Sequence, residues 1–209
     1  MKLAIFGAGG HGGVVADIAE ASGKYKEIVF FDDRATRDTS LHHWKISGDL
    51  QTFLNERSRY DYAIVAIGNN AIRLELQHKL QALEVPIATL IHPAATISKY
   101  SSIGTGTVVV ANAVINIGAN IGQACIINTG ATVGHDCTIH DAVHVAPGVS
   151  LGGGTTIGPR SWIGIKSCTK QLCNVGADVT VGAGTVIIKD VPDRVTVAGN
   201  PARILSTNK

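Results

Sequence analysis

Asn120-Ile121-Gly122-Gln123-Ala124-Cys125-Ile126-Ile127-Asn128-Thr129-Gly130-Ala131-Thr132-Val133-Gly134-His135-Asp136-Cys137 carries the pattern that decides the fold. An aliphatic residue stands at every sixth position, and a small one follows four residues later. Extended outward, the aliphatic series runs Ile97, Ile103, Val109, Ile115, Ile121, Ile127, Val133, Ile139, Val145, Leu151, Ile157, Ile163, Thr169, Val175, Val181, Ile187, with Thr169 the one exception. The position four beyond each is Ser, Thr, Ala, Cys or Val from Ser101 to Val191, and glycine follows half of the aliphatics directly. A helix needs apolar spacing near 3.6 and an ordinary half-buried strand alternates continuously, so a strict period of six fits neither. It fits a β-solenoid: each aliphatic points into a narrow core, the small residue fits that core near a corner, and glycine relieves the turning backbone.

The composition agrees. The chain has 209 residues, 45% of them hydrophobic, and its 24 glycines suit a repeat with many tight turns. A formal net charge of +2 with no block of like charges argues against nucleic acid as a partner. No stretch approaches the roughly 20 apolar residues of a membrane span, and the short apolar run Met1 to Phe6 ends at Gly7 without a cleavage-like segment, so the expected location is cytoplasmic. Cys125, Cys137, Cys168 and Cys173 show no C-x-x-C spacing. Disulfide and metal roles are conceivable, but Cys125, Cys137 and Cys173 occupy the small inward position and read as core thiols.

Ahead of the repeat, Lys2 to Phe6 reads as a buried strand, and Gly7-Ala8-Gly9-Gly10-His11-Gly12 as a G-x-G-x-x-G loop opening a helix from about Gly12 to Ala21. Further strands are expected over Ile28 to Phe31, ending in Asp32-Asp33, over Tyr62 to Ile67, ending at Gly68-Asn69-Asn70, and over Ile87 to Ile91, with a helix over Ala71 to Leu83. This β-α-β series predicts a Rossmann-like parallel sheet over residues 1–93, followed by the solenoid over 94–209. The loop and the acidic pair fit a pyrophosphate at a helix N-terminus and a carboxylate on a ribose. With only about 90 residues, roughly one mononucleotide-binding half, a UDP-sugar fits better than NAD. A glycine turn needed only for helix packing is the plainer alternative.

The repeat resembles that of the hexapeptide acyltransferases, and Val197-Ala198-Gly199-Asn200-Pro201-Ala202-Arg203 is similar to the tail that closes their left-handed parallel β-helix. Three hexads per coil then imply about five coils. The resemblance implies a homotrimer with acetyl-CoA in a groove between neighbouring β-helices. With Phe31-Asp32-Asp33 and Ala66-Ile67-Gly68-Asn69-Asn70 added, the whole chain looks like the sialic-acid and UDP-amino-sugar acetyltransferases. Within that group it most resembles the UDP-4-amino-sugar N-acetyltransferases that make UDP-diacetylbacillosamine. The implied reaction is acetyl-CoA-dependent N-acetylation of a UDP-4-amino-4,6-dideoxy sugar, with O-acetylation of a sialic acid or related sugar as the alternative.

Acyl transfer from a thioester needs a base and an oxyanion donor. His135 has a carboxylate beside it in Asp136 and falls at a turn; an isolated histidine there would be an ordinary surface residue, but the family context makes it the base. By resemblance Asp136 orients His135, standing where the family often has the longer Glu. His144 would lie near the acetyl group and Asn128 near the acceptor, and Gly152-Gly153-Gly154 would offer backbone donors. Gly153, Ile165 and Lys166 would contact acetyl-CoA, with Lys166 or Arg160 at its phosphates, although a solvated cation on a solenoid edge is the plainer account of either. On the nucleotide side, Gly9, Gly10, His11 and Gly12 would approach the pyrophosphate, Asp32 or Asp33 the ribose or uracil, and Gly68 and Asn69 the rim. Two other classes share parts of this pattern. His135 and His140 have the spacing of two ligands in gamma-type carbonic anhydrases, but no third histidine stands near Lys99, and no metal is expected. A non-catalytic assembly module would tolerate loss of His135.

Overall fold

A computed structural model of the chain describes residues 1–34 and 39–207. It divides into two compact units, Met1–Pro93 and Ala94–Lys209. None of the described helices is long and apolar enough to cross a membrane.

In the first unit, β1 (Lys2–Phe6), β2 (Glu27–Phe31), β3 (Thr39–Leu41), β4 (Trp44–Gly48) and β5 (Tyr62–Val65) form one sheet in the order β3-β4-β2-β1-β5. Leu3, Ala4 and Ile5 are all fully buried, as expected of a central parallel strand covered on both faces. Helix α1 (Gly10–Ala21) follows β1, α2 (Leu50–Glu56) follows β4, and α3 (Asn70–Ala82) follows β5. Asp49 caps α2 by accepting from the Thr52 N–H at 2.8 Å, and Asn69 caps α3 by accepting from Ile72 at 3.1 Å. One core gathers aromatics from distant positions: the Phe53 ring lies 5.0 Å from Phe6, 5.4 Å from Phe31 and 5.7 Å from Tyr60, centre to centre.

Three expectations need correction. The β3–β4 hairpin and α2 fill a stretch that the sequence reading left without structure, and β3 runs antiparallel to β4 at the edge of an otherwise parallel sheet. The strand expected over Ile87 to Ile91 shrinks to a single bridge between Ala63 and Ile87 and a two-residue strand, Leu90–Ile91. Helix α1 starts at Gly10, two residues early, because Gly9 takes the capping position.

The second unit is the solenoid. Its strands are two residues long, and each pairs in parallel with the strand 18 residues away, so three hexads make one coil. A first wall stacks the strands from 96–97 to 186–187, a second those from 102–103 to 174–175, and a third those at 108–109, 126–127, 144–145, 162–163 and 180–181. Residues 195–198 continue the third wall and 203–207 return antiparallel to them, which closes the stack. From Ile115 onward every repeat aliphatic is buried, each contributing on the order of 1.5–3 kcal/mol. Thr169 is tolerated in that column because its hydroxyl bonds the Gly152 N–H and the Thr155 hydroxyl, both at 3.0 Å. Cys125, Cys137 and Cys173 are fully buried free thiols, and burial raises the Cys137 and Cys173 thiols above their ordinary range.

The glycines that follow the aliphatics have a different cause from the one expected. The left-handed backbone falls two residues later, at every sixth position from Gly106 to Gly184, and Asn112, Ala124, Asp136 and Lys166 adopt it there alongside the glycines. Glycine is needed directly after the aliphatic because the coils touch there. A Cβ on Gly104 would come 2.5 Å from the carbonyl carbon of Gly122, and one on Gly134 would come 2.7 Å from the nitrogen of Gly153.

Candidate active site

His135 and Asp136 form the corner between the first and second walls. Asp136 has the left-handed backbone there, φ 56°, and His135 Nδ1 lies 2.8 Å from Asp136 Oδ2. The two side chains are 66% and 71% exposed, so their pairing adds little to folding stability. Its consequence is orientational: a carboxylate on Nδ1 keeps the proton there and presents the Nε2 lone pair outward.

The 18-residue interval shows what shapes this pair. One coil on from His135 is Gly153, where a Cβ would run into the imidazole, meeting Cε1 at 2.6 Å and Cδ2 at 2.9 Å. One coil back from Asp136 is Gly118, where a Cβ would collide with Asp136 Oδ1. The dyad thus lies between two bare positions of the backbone. Subtracting 18 from the number of Asp136 would have flagged Gly118 from sequence. Of the expected loop donors, the Gly152 N–H is bonded to Thr169 and the Gly154 N–H to the His135 carbonyl at 2.8 Å. Among the described residues only the Gly153 N–H of that loop has no partner.

Asn128 and His144 belong to the third wall. The Asn128 amide nitrogen lies 3.1 Å from His144 Nε2, and the His144 ring sits 6.3 Å from that of Trp162 on the next coil. Ile165 and Lys166, both exposed, form the corner between the third and first walls. A single chain therefore unites His135 with Asp136 and Gly153, and Asn128 with His144, but presents the two groups on different sides of the prism. Arg160 is committed elsewhere: its guanidinium forms a two-point ion pair with Asp178 at 2.7 and 2.6 Å, which raises the arginine further and holds the aspartate below its usual range.

In the first unit a cleft of about 440 Å3 opens at the carboxyl ends of the strands, lined by Asp32, Asp33, Arg34, Gly68, Asn69 and Ile72 among others. Asp32 braces the loops beside it. Burial alone would raise its carboxyl, but hydrogen bonds from the Ala8 N–H at 2.8 Å and the Arg34 N–H at 2.9 Å outweigh that and hold it below the usual range. Asp33 accepts the Leu50 N–H at 3.0 Å through one oxygen. Arg73, which the sequence reading missed, is buried and donates to the carbonyls of Ile67 at 2.9 Å and Gly68 at 3.2 Å and to Asn70 Oδ1 at 2.8 Å, so it sets the Gly68–Asn69 rim.

The glycine loop divides between the two readings made of it. Gly7, at φ 109°, and Gly12 serve packing, since a Cβ on Gly7 would come 2.9 Å from the Ala66 carbonyl and one on Gly12 would strike the Gly7 carbonyl. Gly9 and Gly10 face open space, and Gly9 caps α1 without a side chain. Burial first, and the nearby Arg73 guanidinium second, push the His11 imidazole from 6.5 down to about 4, which leaves it neutral at pH 7. Its Nε2 is buried with no hydrogen-bond partner among the described residues. No group of three or more His, Cys, Asp or Glu side chains that could hold a metal occurs among those residues.

A family model described as the PglD N-terminal domain matches residues 2–80. The GDP-perosamine N-acetyltransferase of Escherichia coli O157:H7 is 32% identical over 95% of this chain and 94% of its own length. The UDP-N-acetylbacillosamine N-acetyltransferase of Bacillus subtilis is 37% identical over 53% of this chain and 51% of its own length. Among solved structures, the acetyltransferase domain of PglB from Neisseria gonorrhoeae in complex with acetyl coenzyme A matches with a TM-score of 0.94 and 46% identity, covering 98% of both chains. Fold, repeat and these relatives agree: the chain belongs to the hexapeptide-repeat acetyltransferase family that includes the GDP-perosamine and UDP-N-acetylbacillosamine N-acetyltransferases, and it is an acetyl-CoA-dependent acetyltransferase.

Proposed function

We propose that this protein acetylates the amine of a UDP-linked 4-amino-4,6-dideoxy sugar, in the synthesis of UDP-diacetylbacillosamine, by direct transfer from acetyl-CoA with His135 as general base. The observation that carries the reading is the 2.8 Å contact between His135 Nδ1 and Asp136, which leaves Nε2 as the acceptor for a proton. The acceptor amine attacks the thioester carbonyl, His135 Nε2 takes its proton, and the Gly153 N–H steadies the oxyanion. The tetrahedral intermediate then collapses as the carbon–sulfur bond breaks, and the departing thiolate takes the proton from His135 and leaves as the CoA thiol. No acyl-enzyme forms, because Cys137, the thiol nearest in sequence, is buried in the core.

The nucleotide occupies the first unit. The open N-terminus of α1 at Gly9 and Gly10, with neutral His11, faces the pyrophosphate, and Asp33, Gly68 and Asn69 contact the nucleoside. Asp32 acts by fixing the loop at Ala8. Two relatives support a nucleotide-linked amino sugar as acceptor: one acts on a GDP-linked sugar and one on a UDP-linked sugar, and both are N-acetyltransferases. Acetyl-CoA lies along Ile165 and Lys166 beside His144. Because one chain turns His135 and His144 to different sides, a neighbouring copy in a homotrimer completes each site.

The test is thiol release from acetyl-CoA with UDP- and GDP-linked 4-amino-4,6-dideoxy sugars and free sialic acid as acceptors. Turnover is expected with the UDP-sugar, and His135→Ala should lower kcat about 10²–10⁴-fold while the assembly mass is unchanged. Normal turnover in that variant refutes the mechanism, and a preference for sialic acid refutes the acceptor.

A further inference from the structure

We propose that Asn128 is a positioning residue that locks His144 in the tautomer with its proton on Nδ1, so that His144 can donate a hydrogen bond but cannot take a proton at Nε2. Two histidines flank the proposed chemistry, and composition alone gives no reason for one rather than the other to be the base. Their hydrogen bonds give that reason.

The carboxamide of Asn128 has a fixed orientation. Its oxygen accepts the backbone N–H of Thr129 at 2.8 Å, with the Thr129 hydroxyl at 3.4 Å on the same atom. The NH2 end must then face His144, where it stands 3.1 Å from Nε2. An amide nitrogen offers only hydrogens, so Nε2 has to present its lone pair, and in a neutral imidazole the proton is left on Nδ1. The frame is rigid: Ile126 and His144 are paired across adjacent coils, and the next coil brings Trp162 beside the imidazole. Adding a proton at Nε2 would set two N–H groups against each other.

His135 has the same tautomer for a different reason and with a different outcome. Asp136 holds its Nδ1–H, and among the described residues no donor is bonded to its Nε2, which lies against the bare Gly153. One imidazole therefore has its basic lone pair capped and the other has it open. The catalytic consequence rests on the proposed acetyl transfer; the tautomer does not.

The decisive measurement is a long-range proton–nitrogen correlation spectrum of the resting protein labelled with 15N-histidine, with His144 assigned by the peaks lost in His144→Gln. The proposal expects the Nδ1–H pattern in the unaltered protein. In Asn128→Asp, whose carboxylate can only accept, the ring should switch to Nε2–H, and kcat should fall at least tenfold while the KM for acetyl-CoA changes less than threefold. An Nε2–H or mixed pattern in the unaltered protein overturns the lock, as does an unswitched ring in Asn128→Asp. Failure to acetylate any acceptor, with the Nδ1–H pattern present, would refute the proposed transfer and leave the tautomer established.

Discussion

The two units hold themselves together in opposite ways. In the first, large side chains from distant positions fill one core, Phe6, Phe31, Phe53 and Tyr60 meeting at ring distances of 5.0 to 5.7 Å. In the second, aliphatics of nearly uniform size stack at intervals of 18 residues, and the backbones of neighbouring coils leave no room for a Cβ on glycines such as Gly104 and Gly134. The first unit should therefore suffer most from losing a side chain, and the second should be unusually sensitive to gaining one. Phe53→Ala is the strongest test of the first half of that statement. It removes the ring that touches all three of its aromatic neighbours, and chemical denaturation should show a loss of about 3–5 kcal/mol. A loss below 1 kcal/mol would mean that the aromatic cluster is not what stabilises the sheet.

The same contrast decides what could be read from sequence. In the solenoid a residue's neighbours are found by adding or subtracting 18, so the period alone places the aliphatics, the inward Cys125, Cys137 and Cys173, and the corner position of His135. In the first unit the contacts that matter obey no interval. Asp32 reaches back to Ala8, Gly7 touches Ala66, and Arg73 reaches the carbonyls of Ile67 and Gly68. Hence Asp32-Asp33 could be recognised as a candidate pair, but not that both Asp32 oxygens are engaged by backbone N–H groups. The β3–β4 hairpin was missed because its strands are short and no glycine or asparagine marks the turn at His42-His43 between them. The helix after it was missed as well, although Asp49, Leu50, Phe53 and Leu54 carry a capping residue followed by helical apolar spacing.

A buried titratable group sharpens the comparison further, because His11 lies inside the first unit with its neutral form enforced by burial and by Arg73. Its folded-state value of about 4 lies below the ordinary 6.5, so the unfolded chain binds more protons between those limits. The stability this contributes is fully present above pH 6.5 and is lost as the pH falls toward 4, up to about 3 kcal/mol across the window. Thermal melts at pH 7.5 and 4.5 should therefore converge in His11→Gln relative to the unaltered protein. An equal fall in Tm in both proteins would place the acid sensitivity elsewhere.

A paired substitution tests the second half of the comparison. Gly184 has the left-handed backbone, φ 66°, yet open space where a Cβ would go; Gly104 has no such backbone but sits against Gly122. If backbone conformation governed the glycines, Gly184→Ala would be the worse change. Coil contact predicts the reverse, with Gly104→Ala destabilising by about 1–3 kcal/mol and Gly184→Ala by about 1 kcal/mol. Urea midpoints in the opposite order would mean that backbone conformation, not coil contact, places the glycines.

The smallest effect expected is on stability and the most informative is on activity, at Gly118. Its φ of 73° resembles that of Gly130, at 63°, so Ala at either position bears a similar backbone strain, about 1 kcal/mol. Only at Gly118 does the added methyl meet a functional group, the Asp136 carboxylate that holds His135. Gly118→Ala and Gly130→Ala should therefore lower Tm by similar amounts. Gly118→Ala alone should lower kcat by about tenfold, equivalent to about 1.4 kcal/mol in the barrier. Displacing the carboxylate frees the imidazole to rotate and lets either nitrogen carry the proton, so the loss should be matched by Asp136→Ala and should not add to it. Additive losses in the double variant would show that Gly118 acts on something other than the dyad.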